Sequence, residues 1–201
     1  GVSVCYDLDG KRLWTYVANG TASEHGFSSS PTLAGDKFVV HMVETIALNA
    51  KTGEFAWKLP ENSFNASLQT FTLNGEALML SPDLIIVRAK DGKVLYRPPT
   101  WRRQGGTGYI ATPVVKDGMI YRGGEVYKLP ASPAEPFKLE QVKSFGISTA
   151  GFPKFFGEWY TSSPLVYNGL LYWANNDQYY VKSGEHFGVV GCSGLVGARQ
   201  P

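Results

Sequence analysis

A tight-turn glycine followed four residues later by a large aromatic residue occurs three times in the first half of this chain. The segments "DLDGKRLW", "NAKTGEFAW" and "RAKDGKVLY" place Trp14, Trp57 and Tyr96 at the same position after the glycine. Glycine is expected at Gly53 and its two counterparts because such turns need a positive φ that other residues resist. A large ring there buries about 150 Å² or more against a neighbouring sheet. The repetition predicts that each structural unit covers the next one.

A second repeated pattern marks the start of each unit: small or polar residues, usually a proline, an apolar pair, a turn and another apolar strand. It is found in "SSPTLAGDKFVV", "QTFTLNGEALML", "ATPVVKDGMIY" and "SSPLVYNGLLYW". The anchors Pro31, Phe71, Pro113 and Pro164 are 40, 42 and 51 residues apart. Four short strands repeated at this period are typical of a propeller, whereas a parallel β-helix has shorter coils. The sequence therefore predicts an all-β fold, a β-propeller of four-stranded antiparallel blades, with a helical signal only in "EPFKLEQVKS".

The predicted repeat units differ in completeness. They span about residues 1–20, 27–60, 67–99, 109–130 and 160–187, with an inserted loop at 131–159. The first unit supplies only a third and a fourth strand, which leaves two arrangements open. In one, the chain is an arc of about four to five blades from a larger ring. In the other, the N-terminal hairpin completes the last blade and closes a four-bladed ring. The arc is favoured because the last unit carries its own third strand, "QYYVK".

Composition excludes several classes of protein. A formal net charge of +2 over 201 residues does not give the basic footprint of a nucleic-acid-binding protein. Apolar residues make up 43% of the chain, which favours a buried core over disorder. No run of 18 apolar residues is present, so no membrane span is expected, and no signal peptide is recognised. Cys5 and Cys192 are predicted to be buried thiols, with a disulfide between them as the alternative.

Candidate binding residues come from the links between successive units, because these links surround one mouth of a propeller's central channel. Four residues before each anchor lie Phe27, Ser67, Tyr109 and Tyr160, and six residues before lie His25, Asn65, Thr107 and Glu158. The pattern indicates a polar ring on an aromatic collar, which would hold a small polar ligand or a peptide. The alternative is that the aromatic residues pack blade starts while the polar residues cap loops.

Two longer links add chemistry to the same face. Arg102 and Arg103 lie beside a glycine cluster in "RPPTWRRQGGTGY" and would hold a carboxylate or phosphate, or remain solvated. The aromatic-rich link that ends at Trp159 and Tyr160 suits a partner contact, a plug over the channel or a small core of its own. No metal site is predicted, because the three histidines share no short ligand spacing. No nucleophile motif or catalytic set is recognised either.

One repeat carries a family resemblance. The pattern Ala47, Asn49, Thr52, Gly53 and Trp57, preceded by Ser-Ser-Pro and two apolar strands, resembles the tryptophan-docking repeat of pyrroloquinoline-quinone-like (PQQ-like) propellers. The resemblance extends over about residues 1–187 and implies the fold. It also implies a periplasmic or secreted location, since family members include quinoprotein dehydrogenases, an outer-membrane assembly lipoprotein and secreted propellers. The family's quinone site uses a tryptophan, a vicinal disulfide, Ca²⁺ and a catalytic aspartate.

The sequence departs from that quinone site, because it has no adjacent cysteines and no inner-strand aspartate that matches the base. No cofactor is therefore predicted. The leading hypothesis is a non-catalytic scaffold in an exported bacterial protein, which binds an unknown protein, a small polar ligand or the remaining blades of the same propeller. The alternative is a fragment of a PQQ-dependent alcohol or sugar dehydrogenase whose cofactor residues lie in other blades.

Overall fold

The structure is a computed structural model that describes residues 1–20, 29–41, 44–60, 66–99, 111–122, 125–144 and 163–172. Within these ranges the chain forms sixteen β-strands and no helix. The strands make three four-stranded antiparallel sheets and two two-stranded sheets. The predicted all-β class, a β-propeller arc built of four-stranded blades, is confirmed.

The strands follow the chain in simple order. The leading hairpin contains β1 (Val2–Tyr6) and β2 (Arg12–Val17). Blade 1 contains β3 (Thr32–Ala34), β4 (Lys37–His41), β5 (Thr45–Asn49) and β6 (Phe55–Leu59). Blade 2 contains β7 (Gln69–Leu73), β8 (Glu76–Leu80), β9 (Ile86–Arg88) and β10 (Val94–Tyr96). Blade 3 contains β11 (Val114–Lys116), β12 (Met119–Arg122), β13 (Glu125–Lys128) and β14 (Glu140–Ser144). The trailing hairpin contains β15 (Leu165–Tyr167) and β16 (Leu170–Tyr172).

The first strands of successive units lie side by side. Contacts join β3 to β7, β7 to β11 and β11 to β15, so these strands form the inner edge of the arc. Within each blade the four strands pair in sequence order, which places the fourth strand at the outer edge. Among the described strands β1 pairs only with β2 and β15 only with β16. Among the described strands the two hairpins are therefore separate sheets, as the arc arrangement predicts.

The core lies between the sheets because alternate side chains of each strand point to opposite neighbours. Ile46 and Leu48 of β5 pack with Trp14 against the leading hairpin. Ala47, between them in sequence, packs on the other side with Trp57 against blade 2. A third cluster joins blades 2 and 3 through Leu78, Leu80, Ile86, Ile120 and Phe137. Each blade thus has two apolar faces and depends on both neighbours to bury them.

Two tryptophans close these interfaces against the turn of the next blade. The indole N–H of Trp14 donates to the carbonyl oxygen of Ala50 at 3.0 Å. A Cβ added at Gly53, three residues further on, would lie 2.6 Å from Trp14 Cδ2. Gly53 also has a φ of +73°, so both its backbone and its close approach to the indole require glycine.

The same geometry recurs one blade further along. The indole N–H of Trp57 donates to the carbonyl oxygen of Ala89 at 2.8 Å, and a Cβ at Gly92 would lie 2.7 Å from Trp57 Cδ2. Tyr96, the third member of the pattern, is half-buried in the cluster between blades 2 and 3, where burial raises the pKa of its phenol. Blade 3 joins its last two strands through residues 129–139, a longer link than the tight turns at Gly53 and Gly92.

Residues 131–159 are not wholly the inserted loop that the sequence pattern predicted. Glu140–Ser144 form β14, the fourth strand of blade 3, and the helical signal in this segment is also wrong. All five side chains of β14 are exposed, so the strand lacks the alternating apolar pattern by which a strand is recognised. Phe137 of the preceding link is buried between blades 2 and 3 and anchors the link to the core.

Candidate functional site

A belt of hydroxyl groups runs along the side of the arc where the links arrive. The backbone N–H of Ser30 donates to Ser67 Oγ at 2.8 Å, and that of Ser67 donates to Thr112 Oγ1 at 3.2 Å. The N–H of Thr112 then donates to Ser163 Oγ at 3.0 Å. Each belt residue lies two positions before the first strand of its unit. The belt therefore ties the points at which four successive links enter the inner strands.

The belt corrects the alignment of one repeat. Ser30, Thr112 and Ser163 directly precede a proline, so Leu68, the residue after Ser67, corresponds to those prolines. The anchor Phe71 instead lies in the middle of β7, because β7 has five residues where β3, β11 and β15 have three. The two extra residues of β7 account for two of the three positions by which the sequence comparison was displaced, and matching Gly35 with Gly75, the first and second residues of their turns, accounts for the third.

This registration changes two members of the proposed ring and collar. Counting back from Leu68, the residue four positions before is Phe64 rather than Ser67. The residue six positions before is Asn62 rather than Asn65, so the outer set remains polar. The collar position then carries an aromatic residue in every unit, namely Phe27, Phe64, Tyr109 and Tyr160.

Most of the residues singled out from the sequence lie outside the described residues. These are His25, Phe27, Asn65, Arg102, Arg103, Thr107, Tyr109, Glu158, Trp159, Tyr160, His186 and Cys192. Cys5 is described and is a half-buried free thiol on β1. The part of the link side that the structure describes is the belt and the turns between second and third strands.

At the blade 1 turn, a histidine is buried against a threonine. His41 Nδ1 and Thr45 Oγ1 are 2.7 Å apart, and Ser29 Oγ donates to the carbonyl oxygen of His41. Burial lowers the pKa of His41 to about 4, because the imidazolium would lose its hydration. The imidazole is thus neutral at physiological pH, and both side chains of the pair are buried.

At the blade 2 turn, one hydroxyl organises a tight loop. Ser81 Oγ accepts the backbone N–H groups of Asp83 and Ile85 at 3.2 and 3.1 Å. Leu84 has a φ of +61°, an unusual value for a non-glycine residue, and its side chain is buried in the core between blades 2 and 3. The buried side chain and the Ser81 bonds offset the backbone strain at this position.

Arg122 joins this loop to blade 3. Its Nε donates to the carbonyl oxygen of Pro82 at 2.6 Å, and its Nη1 donates to Glu125 Oε2 at 3.1 Å. Burial raises the pKa of Asp83, and the nearby Arg122 charge partly opposes that rise. Tyr127 donates its O–H to Glu125 at 2.7 Å, and burial followed by this carboxylate raises the pKa of its phenol. Sequence reasoning missed this network, because Arg122 and Pro82 are 40 positions apart.

A groove of about 470 Å³ lies on the opposite side of the arc, between the turns of blades 1 and 2. It is open, and its charged groups already have partners: Asp36 pairs with Lys37 at 2.6 Å and Glu76 with Lys90 at 3.3 Å. Within the described ranges, no group of three acidic, histidine or cysteine side chains is placed to hold a metal ion. No helix in that part of the chain is long and apolar enough to cross a membrane.

Comparisons with known proteins support the same fold. No protein-family model and no curated protein sequence match the chain. Among solved structures it is similar to BamB from Moraxella catarrhalis, with 16% sequence identity and a TM-score of 0.59. The match covers 89% of this chain and 54% of that one, so this chain spans about half the length of BamB. The likeness shows that the chain has a β-propeller fold, here with the strand pairing of a partial ring.

Proposed function

We propose that this chain is a PQQ-like propeller that acts as a non-catalytic scaffold, binding a protein or a small polar ligand through its link-side face. The observation that carries the proposal is the belt. Because the belt fixes the entry points of four links, residues on those links have a rigid base from which to form one contact surface. The function belongs to the links, and the blades hold them in position.

The chemistry of the links supports a polar or peptide ligand. Counted along the sequence from the belt residues, an aromatic residue stands at the same link position in all four units, which supports this proposal. Arg102 and Arg103 add cationic donors suited to a carboxylate or phosphate, and Trp159 and Tyr160 add apolar contact area. Aromatic and arginine side chains of this kind dominate protein interfaces. The exported bacterial setting follows from the resemblance to PQQ-like propellers.

Site-specific photocrosslinking in a bacterial envelope extract tests the proposal. A photoreactive residue at position 103 on a link is compared with one at Asn74, on the opposite side of the arc. We expect a discrete crosslinked product at position 103 only, and we expect Trp159→Ala with Arg102→Ala to abolish it. Equal crosslinking at both positions would contradict the link-side face.

The enzymatic alternative has a separate assay. The chain is incubated with the quinone and Ca²⁺, and dye-linked oxidation of alcohols and aldoses is followed. The scaffold hypothesis predicts no turnover above that of the quinone and Ca²⁺ alone. Turnover that depends on the folded chain would replace the scaffold by a dehydrogenase fragment.

A further inference from the structure

The outward face of the leading hairpin has the composition of a blade interface but has no blade against it. Val2, Val4 and Tyr6 of β1, with Leu13 and Val17 of β2, are all exposed, from 37% to 66%. On the other face of the same hairpin, Trp14 is buried against blade 1. An exposed apolar patch of this kind on a soluble domain marks an interaction surface.

Comparison with the other repeats shows which blade positions the exposed residues of β1 correspond to. Three residue pairs define equivalent registers, because each joins a third strand to the aromatic residue of a fourth strand: Cys5 with Trp14, Ala47 with Trp57, and Ile86 with Tyr96. On either side of Cys5 lie Val4 and Tyr6, which therefore correspond to Ile46 and Leu48 of blade 1. Ile46 and Leu48 are 5% and 0% exposed because the preceding hairpin covers them, whereas Val4 and Tyr6 are 37% and 58% exposed.

Blade 2 follows the same rule. Ile85 and Val87 flank Ile86 and are 2% and 6% exposed, because blade 1 covers them through Trp57. In two consecutive interfaces, then, these positions are buried by the blade that precedes them. The leading hairpin presents the same two positions to solvent.

The turn of the leading hairpin also carries a positive-φ glycine four residues before the aromatic residue, as the turns of blades 1 and 2 do. Gly10 has a φ of +82°, like Gly53 and Gly92, but a Cβ added there would meet no atom within 4 Å. The turn is nevertheless preformed, because Asp7 Oδ1 accepts the backbone N–H groups of Asp9 and Lys11 at 3.1 and 2.8 Å. It is one residue shorter than the turns of blades 1 and 2, because the N–H of Gly10 donates to the carbonyl oxygen of Asp7, three positions back, whereas the N–H groups of Gly53 and Gly92 donate four positions back.

We propose that this face, formed by Val4, Tyr6 and the Gly10 turn, docks a further propeller blade that carries a tryptophan on its outermost strand. The two strands that follow that blade add to the edge of β1, which pairs only with β2 among the described strands. The occupant's chemistry follows from the chain's own interfaces: an apolar sheet face and an indole N–H directed at a turn carbonyl.

A second copy of the described region does not supply such a residue. Trp14 and Trp57 already occupy the turns of blades 1 and 2, and Tyr96 is packed against blade 3. The outermost strand of blade 3, Glu140–Ser144, contains no aromatic residue. The surface therefore fits a distinct blade of the same type.

The chain provides its own probe for this surface. In the register given above Ile86 corresponds to Cys5, so Pro82 corresponds to Gly1. A copy of residues 29–82 is therefore fused directly before Val2, in place of Gly1. The copy adds a complete blade with its Trp57, followed by two strands that pair with β1 as β8 pairs with β9. We expect the extended chain to melt at least about 5 °C above the chain itself.

Matched variants separate docking from a general gain in size. Trp57→Ala in the added copy should remove most of the increase in melting temperature. Tyr6→Ser should lower the melting temperature of the extended chain by at least about 4 °C and that of the chain itself by less than about 1 °C. Phe55→Ser in the original blade 1 is the control, since Phe55 is 52% exposed and lies away from the new contact. It should have equal effects in the two proteins.

Three results would overturn the proposal. One is an extended chain that melts no higher than the chain itself, or that fails to fold where the chain itself folds. Another is an equal effect of Tyr6→Ser in the two proteins. The third is a dimer of the chain alone, seen by sedimentation equilibrium and abolished by Tyr6→Ser, which would make a second copy the occupant. The link-side photocrosslinking experiment is independent of all three.

Discussion

Gly53→Ala is expected to destabilise the protein by about 3 kcal/mol, and the magnitude follows from two separate effects. The left-handed backbone at Gly53 costs an alanine roughly 1 kcal/mol. The new Cβ would also lie 2.6 Å from Trp14 Cδ2, far inside the usual contact distance of about 3.5–4.0 Å, so the indole must shift. That shift breaks the 3.0 Å bond to the carbonyl oxygen of Ala50, worth about 1 kcal/mol, and exposes part of the ring.

The chain contains a matched control for this variant. Gly10→Ala meets the same backbone cost at a φ of +82°, but its Cβ contacts nothing within 4 Å. Urea unfolding followed by far-ultraviolet circular dichroism should therefore give a loss of about 1 kcal/mol for Gly10→Ala. The difference between the two variants isolates the indole contact at roughly 2 kcal/mol.

A double-mutant cycle tests the reasoning further. In a Trp14→Ala background the indole is absent, so Gly53→Ala should cost no more than Gly10→Ala. The reasoning is refuted if Gly53→Ala and Gly10→Ala destabilise the native chain equally. It is also refuted if the cost of Gly53→Ala is unchanged when Trp14 is removed.

Three further predictions concern the other interfaces and the link side. Trp57→Phe removes the 2.8 Å bond to Ala89 but keeps an apolar ring, so the urea midpoint should indicate a loss of about 1–2 kcal/mol, against about 3–5 kcal/mol for Trp57→Ala. Burial depresses the pKa of His41 to about 4, below its unfolded value of 6.5, so the neutral buried imidazole contributes its full stability above pH 6.5 and loses it as the pH falls toward 4. His41→Gln should therefore reduce the dependence of the unfolding free energy on pH between 6.5 and 4. Arg122→Met leaves the Pro82 carbonyl oxygen without its 2.6 Å donor and should cost about 1–3 kcal/mol in urea unfolding.

Controls and contrary outcomes for these predictions are available in the same chain. Lys58→Met breaks an exposed pair with Glu44 and should change stability by less than about 0.5 kcal/mol, in contrast to Arg122→Met. Equal effects of these two variants would contradict the role given to Arg122. An unchanged pH profile in His41→Gln would show that another group controls acid unfolding.

The sequence predicted those features of the fold that are local and repeated. The strand period and the turn glycines depend on residues a few positions apart. Every blade needs them, so the strand-and-turn pattern recurs several times in the sequence. The β14 strand is different, because Glu140–Ser144 are exposed on both faces and carry no alternation. Only pairing with β13 makes them a strand, and pairing is a tertiary contact.

The candidate site was less predictable because its contacts join residues that are distant in sequence. Arg122 meets Pro82 across 40 positions, and the Ser67 hydroxyl meets the Ser30 amide across 37. Neither pair has a local spacing that identifies it. The alignment of Phe71 failed for a related reason: two extra residues in β7 shift the repeat without changing its alternating pattern.

The most direct test of the account is whether the α-protons of Gly53 and Gly92 contact the indole rings of Trp14 and Trp57 in solution. Nuclear Overhauser spectra of the folded chain should show both contacts, and the two indole N–H protons should exchange slowly with solvent. Gly10 should show no contact to any indole. Missing cross-peaks at Gly53 and Gly92, together with rapid exchange of both indole protons, would contradict the claim that the leading hairpin and blade 1 are each held by a tryptophan packed on the turn of the next blade.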